Sequence, residues 1–167
     1  MTASNGDMPL PKIGLILLFL VGAGAMLTAP QHVSIAETRS AQVCDLYIDS
    51  AVIKSVPVAD TERRRNRGLS GREDAGPGMW FEFDADSRPS FWMKDTKMAL
   101  SVAFISAEGH ITEILDMEPG SLTKVRPQQP VRYALEVSQG NFGALGINVG
   151  NTVNFRACSV VEDSGDE

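Results

Sequence analysis

The stretch SVAFISAEGHITEILDM, Ser101 to Met117, decides the fold class. Ser101 to Ile105 and His110 to Met117 are short runs rich in β-branched and aliphatic side chains, the composition of strands. Ala107-Glu108-Gly109 supplies the loop between them, and the glycine can take the left-handed conformation that such a hairpin needs. In the first run both faces are apolar, Val102 and Phe104 on one and Ala103 and Ile105 on the other. That pattern predicts a central strand covered on both sides.

Working outward, the same signals recur. Val43 to Ile48 and Ala51 to Val58 read as strands. Asp60 is expected to cap a short helix, Thr61 to Arg67, with its arginines toward the end where the helix dipole favours cations. Gly68 is the natural residue to stop it, and Arg63, Arg64 and Arg65 read as a solvated face. Glu73 to Gly78 is a loop by its glycine and proline content. Met79 to Phe83 and Ser90 to Thr96 follow as strands, and Val131 to Val137 as another. Gln139 to Leu145 is a single helical turn stopped at Gly146, and Gly150-Asn151 leads into a last strand, Thr152 to Val161. The sum is a mainly β chain, a small barrel-like or sandwich domain of about eight short strands with two short helices.

Around this domain the chain divides into four parts. Residues 1–36 read as a signal peptide or an N-terminal membrane anchor. Ile13 to Ala29 (IGLILLFLVGAGAMLTA) carries no charge, Lys12 precedes it, and Ser34-Ile35-Ala36 offers small residues for cleavage after Ala36. The short apolar stretch favours cleavage, and an uncleaved anchor is the alternative. Residues 37–42 are a polar connector, 43–161 the folded domain and 162–167 an acidic tail. The expected location is therefore exported, periplasmic or secreted, with inner-membrane anchoring facing the periplasm as the alternative. A membrane partner is expected only if the leader is kept.

The chain holds 2 cysteines, Cys44 and Cys158, near the two ends of the domain. In an oxidising compartment they read as one disulfide clasping the termini, and two buried free thiols are the competing reading. Strand alternation sets a condition on the bond. Val153, Phe155 and Ala157 are expected to face inward, which turns Cys158 the other way unless a bulge intervenes.

Formal net charge is −6, so a nucleic-acid backbone would be repelled and no nucleic-acid partner is expected. After the leader His110 is the sole histidine and the cysteines lie far apart, so no metal-ligand spacing exists and no metal site is expected. Glu113, Asp116 and Glu118 read as solvent-facing charges. Gly68-Leu69-Ser70-Gly71-Arg72 lacks the final glycine of a nucleophile elbow, so Ser70 reads as a loop serine. A Cys158–His110 pair with Arg156 beside it would need a free thiol, which the disulfide reading contradicts. No cofactor motif is present, and no catalytic residue is assigned.

The unusual segment is Ser90-Phe91-Trp92-Met93-Lys94-Asp95-Thr96. On a strand, Phe91 and Met93 face the core, while Trp92, Lys94 and Thr96 share the other face. A large ring beside a cation and a hydroxyl suits a ligand or a partner. The plainer reading has Trp92 sealing the barrel end with Lys94 extending past it.

Taken in order, Val58 to Glu62 (VADTE), Arg67 to Arg72 (RGLSGR), Gly78 to Phe81 (GMWF), Pro89 to Thr96 (PSFWMKDT), Ala103 to Ile105 with Gly109, Tyr133 to Glu136 (YALE) and Gly146 to Val153 (GINVGNTV) resemble the bacterial and archaeal family known as domain of unknown function 192. The match spans about Val43 to Val161. The resemblance implies a small β-rich fold, often exported, with no established activity. By position it carries over Arg67, Arg72, Trp92, Lys94, Thr96 and Glu136 as the candidate ligand-binding residues. The chain departs from the family pattern at Asp95, where asparagine is usual, and at Ala99-Leu100-Ser101, where a proline and then a leucine-aspartate pair are usual. The missing carboxylate at Ser101 removes support for acid–base or metal chemistry there. Asp95 is a candidate partner for Lys94 or Arg67.

Three functional readings follow. The first is a non-catalytic binding module of the cell envelope, its partner an unknown small molecule, glycan or envelope protein. The second is a structural or accessory envelope protein, in which Trp92, Arg67 and Glu136 would form one satisfied interior network. The third is a hydrolase acting on an envelope polymer, with Glu136 or Asp95 as acid or base.

Overall fold

A computed structural model describes Ser40 to Glu162. The leader, residues 37–39 of the connector and the tail beyond 162 lie outside the described residues. The domain is mainly β, as its sequence pattern requires. Its strands are β1 (Ser40–Ile48), β2 (Ala51–Ala59), β3 (Met79–Ser87), β4 (Leu100–Ile105), β5 (Ile111–Met117), β6 (Val131–Ser138) and β7 (Val153–Glu162), with helices α1 (Glu62–Arg67) and α2 (Asn141–Ala144). They form one sheet in the order β5-β4-β6-β3-β2-β1-β7. All neighbours are antiparallel except β2 and β3, which run parallel because α1 and its loops carry the chain back between them.

The sheet curls until its two outer strands touch at one end. There the Ile111 N–H donates to the Asn151 carbonyl at 2.9 Å, and the Val153 N–H to the Gly109 carbonyl at 2.9 Å. Gly109 makes this closure possible. Its φ is +90°, and a methyl group added there would lie 2.8 Å from the Val153 carbonyl oxygen. Gly109→Ala is expected to destabilise the domain by about 2 kcal/mol, combining left-handed strain with the clash. A urea titration with an unshifted midpoint would show that the closure is dispensable.

The hairpin that organises the reading is present as β4 and β5. Every residue of β4 is buried, and its two faces enter different cores. Ala103 and Ile105 join Leu46, Ile48, Trp80, Leu135 and Ile147 on the concave side of the curl. Val102 and Phe104 join Phe81, Phe91, Met93 and Ala134 on the convex side, which the excursions between strands cover. Both cores exist because three central strands are apolar on both faces, and burying each face removes it from water.

Local details differ from the expectation in instructive ways. β1 begins at Ser40, taking up the end of the connector, because it pairs with β7 from Ser40↔Glu162 onward. Thr61, not Asp60, caps α1: its Oγ1 accepts the Arg64 N–H at 3.3 Å, while Asp60 pairs with the Arg64 guanidinium at 2.8 Å. Arg65 is no solvated arginine either. It donates to the Asp60 and Glu82 carbonyls, each at 2.7 Å, and lies over the Phe83 ring. Ser90–Thr96 is not a strand. Only Phe91 bridges to Val125, and the chain then turns at Asp95, whose φ is +55°.

The disulfide forms, joining Cys44 to Cys158 across a sequence separation of 114. The bulge that alternation demands lies in β7. Val153 pairs with Ile48 and Phe155 with Tyr47, leaving Asn154 as an extra residue. That extra residue reverses the alternation, so Cys158 comes directly opposite Cys44 on the same side of the sheet. The thiol that a Cys–His pair would need is therefore consumed, and the His110 Nδ1 meets the Thr152 hydroxyl at 3.0 Å instead.

Candidate functional site

A cleft of about 440 Å³ opens on the convex side of the sheet. Its apolar floor comes from Leu69, Phe81, Phe91, Met93 and Leu100, and its mouth from Arg67, Trp92, Lys94 and Asp95. Glu136 of β6 lines it from below. Five of the six candidate residues therefore converge here: Arg67, Trp92, Lys94, Thr96 and Glu136. Arg72 does not. It is exposed beyond the turn that follows Ser70 and lies outside the cleft lining.

Each element delivers its residue for a local reason. α1 ends at Gly68, whose φ of +50° bends the chain so that Arg67 stands at the mouth and the Gly68 backbone closes over the floor. A methyl group on Gly68 would lie 3.6 Å from the Phe81 ring and 3.8 Å from the Glu136 Oε2, so backbone covers that carboxyl closely. The Phe91-Trp92-Met93 alternation holds without a ladder. Phe91 and Met93 pack into the convex core, while Trp92 remains 47% exposed. The Lys94 ammonium lies 5.8 Å and the Lys124 ammonium 6.0 Å from the Trp92 ring centroid, within cation–π range.

Thr96 departs from the strand expectation. The turn at Asp95 rotates it inward, so it is buried, with its N–H donated to the Met93 carbonyl at 3.1 Å. Asp95 itself has a backbone role. It adopts the left-handed conformation that asparagine and aspartate tolerate, and its carbonyl accepts the Gly71 N–H at 2.9 Å. Among the described residues it forms no ion pair with Lys94 or Arg67. Asp95→Asn should therefore leave stability unchanged, whereas Asp95→Val should lower it by roughly 1–2 kcal/mol. Equal melting of the two variants would remove the turn explanation.

Glu136 is the chemical centre of the cleft. It is only 4% exposed, and among the described residues its carboxyl has no hydrogen-bond or ion-pair partner. Burial pushes its pKa from 4.5 up to about 8, because the charged form loses its water in an apolar setting. Among the described residues, neither Arg67 nor Lys94, which line the same cleft, forms an ion pair with it. Pairing with Met79 and Val102 on the neighbouring strands sets its direction, placing it on the same face as Ala134.

Ser101 and the acidic run around β5 belong elsewhere. Ser101 points to the opposite face of β4, where its hydroxyl donates to Asp116 at 2.6 Å, and Gln139 donates to the other oxygen of Asp116 at 2.9 Å. Glu113 is tied separately to the Gln128 N–H at 2.6 Å. Ser70 donates to the Lys94 carbonyl at 3.3 Å, the behaviour of a loop serine.

The apolar floor escaped notice in the sequence. Leu69, Phe81 and Leu100 look like any other core residues, and nothing local marks them as sharing a wall with Trp92.

Comparison with known proteins agrees with this architecture. The chain is similar to a protein from Sinorhizobium meliloti, provisionally named a transcription regulator, at 27% identity and a TM-score of 0.60, covering 72% of this chain and 93% of that one. It is also similar to a protein of unknown function from Novosphingobium aromaticivorans, at 24% identity and a TM-score of 0.61, covering 68% and 84%; this second likeness bears on the fold alone. No curated protein matches it. The model of the family described as uncharacterized ACR, or DUF192, matches residues 46–155. That match takes in every residue of the cleft and of both cores except Cys44, so the chain belongs to the DUF192 family.

Proposed function

We propose that this protein is an exported, non-catalytic binding module of the cell envelope whose convex cleft takes a small organic ligand. One observation carries the reading. Glu136, only 4% exposed, lines an open cleft with a carboxyl that has no hydrogen-bond partner among the described residues, an arrangement typical of sites that something else completes. The Cys44–Cys158 disulfide supports an oxidising compartment, and therefore export. The regulator name of the Sinorhizobium relative is not extended to this chain, because a net charge of −6 repels DNA.

The accessory reading loses ground, since Trp92 and Arg67 are exposed and Glu136 is unpaired rather than joined in a satisfied network. The hydrolase reading keeps one supporting observation: Glu136 and Asp95 line the same cleft, and a carboxyl protonated near neutral pH is a usable general acid.

The test is a screen of the full-length protein against small acids, amines, sugars and short peptides, read by melting temperature and by Trp92 fluorescence. A ligand present at about 100 times its Kd stabilises by about 2.7 kcal/mol, a readily measured shift. The shift should weaken in Glu136→Leu and in Trp92→Ala. A screen with no stabilising compound, or with shifts indifferent to both variants, would remove the binding reading. Turnover of a stabilising compound would favour the hydrolase.

A further inference from the structure

The cleft has two poles of different chemistry, and together they define a ligand class. This inference rests on the cleft being a binding site.

At the mouth, Arg67 and Lys94 are exposed, and among the described residues neither forms an ion pair. Lys124 adds a third cation on the Trp92 ring beside Lys94. This cationic rim runs against the net charge of the chain, −6, so it is not a reflection of overall composition. Among the described residues Asp95 is the one carboxylate lining the mouth; Arg65 also lines the cleft, but its guanidinium is committed to the Asp60 and Glu82 carbonyls and to Asp84.

On the floor the polarity changes. Leu69, Phe81, Phe91 and Met93 are buried and apolar, and the Glu136 carboxyl is set among them without a hydrogen-bond partner. Among the described residues neither cation pairs with that carboxyl, so rim and floor differ in chemistry: exposed charge at the mouth, and a carboxyl set among buried apolar side chains below. A neutral carboxyl in such a place offers one O–H donor and a carbonyl acceptor. A cationic group bound for Glu136 would have to pass Arg67 and Lys94, and would then be desolvated on the floor. A neutral oxygen suffers neither penalty.

We propose that the cleft selects small hydroxylated organic acids: the ligand's carboxylate meets Arg67 and Lys94, its apolar body lies over Phe81, Phe91 and Met93, and its distal hydroxyl hydrogen-bonds with Glu136. A cleft of about 440 Å³ accommodates one ring or a short chain.

The experiment is calorimetric titration of the full-length protein in mildly acidic, low-salt buffer. The probes are para-hydroxyphenylacetate, phenylacetate and tyramine, and the aliphatic set hydroxyhexanoate, hexanoate and aminohexanol. At least one hydroxy acid should bind with a Kd below about 1 mM, about tenfold tighter than its deoxy counterpart, the value of one buried hydrogen bond. Glu136→Leu should erase that tenfold preference while the deoxy acid still binds. Glu136→Gln, which keeps a donor and an acceptor, should preserve it. Arg67→Ala with Lys94→Ala should weaken both acids about tenfold and flatten their salt dependence. A circular dichroism melt establishes that each variant is folded.

The proposal is overturned if an amine outcompetes its acid, if the deoxy acids bind equally well, or if no acid of either set binds. Should the acids fail while a compound of another class stabilises the protein through Glu136, the ligand class falls and the binding module stands. If nothing in either experiment binds, both fall.

Discussion

Glu136→Gln stabilises the empty domain, and the gain grows as the pH rises from about 4.5 toward 8. The folded carboxyl has its pKa raised to about 8 by burial, against 4.5 for an unperturbed glutamate. Below the lower value both the folded and the unfolded chain hold the proton, and the residue brings no pH-dependent penalty. Between the two values the unfolded chain ionises while the folded one must keep its proton, so stability declines by about 1.4 kcal/mol for each pH unit. Above about 8 both forms are ionised and the loss is complete. At neutral pH the penalty is on the order of 3 kcal/mol, which the glutamine variant escapes because it never ionises. Urea titrations of both proteins across this pH range measure it directly. A constant difference, or one that shrinks with rising pH, would mean that Glu136 is ionised and partnered in the folded protein. The same titration bears on function: if the hydroxy acid requires the protonated form, its affinity declines as the pH passes about 8.

Reducing the Cys44–Cys158 bond should lower stability by up to about 4–5 kcal/mol. The bond closes a loop with a sequence separation of 114, and chain-entropy arguments assign the largest effects to the longest loops. Cys44 is buried in the concave core, while Cys158 is an exposed residue of β7. The expected result is a wild-type protein whose urea midpoint falls on adding reductant, and a Cys44→Ala, Cys158→Ala double variant that is indifferent to it. A wild-type midpoint unmoved by reductant would contradict the role assigned to the bond. Ligand binding should survive reduction as long as the domain stays folded, because the cleft is built from β3, β4, β6 and the segments over them, not from β1 or β7.

Much of the architecture was legible because its causes are local. The β4–β5 hairpin follows from two short apolar runs and Gly109, and the double coverage of β4 from apolar residues on both of its faces. The short helix ending at Gly68 and the buried Phe91 and Met93 follow from the same short-range rules. Where readings failed, a contact distant in sequence had overridden a local preference. Ser90–Thr96 has strand-like residues but finds a partner only at Val125, and the left-handed Asp95 then turns it. Thr96 is buried for that reason, although alternation had placed it beside Trp92 and Lys94.

By itself the sequence determined the β-rich class, the central strand, the cysteine pair and the family. It also marked Trp92, Lys94 and Glu136 as residues to watch. These follow from composition, period and motif, which are properties of neighbours along the chain. Only the tertiary structure decided that β2 and β3 run parallel, that an extra residue at Asn154 brings Cys158 round to face Cys44, and that Arg72 stays outside the site. It also decided that Glu136 is left unpaired beneath Arg67 and Trp92. The lack of a partner depends on everything packed around a group, and residues brought together from α1, β3, β4 and β6 have no common signal until the sheet has curled.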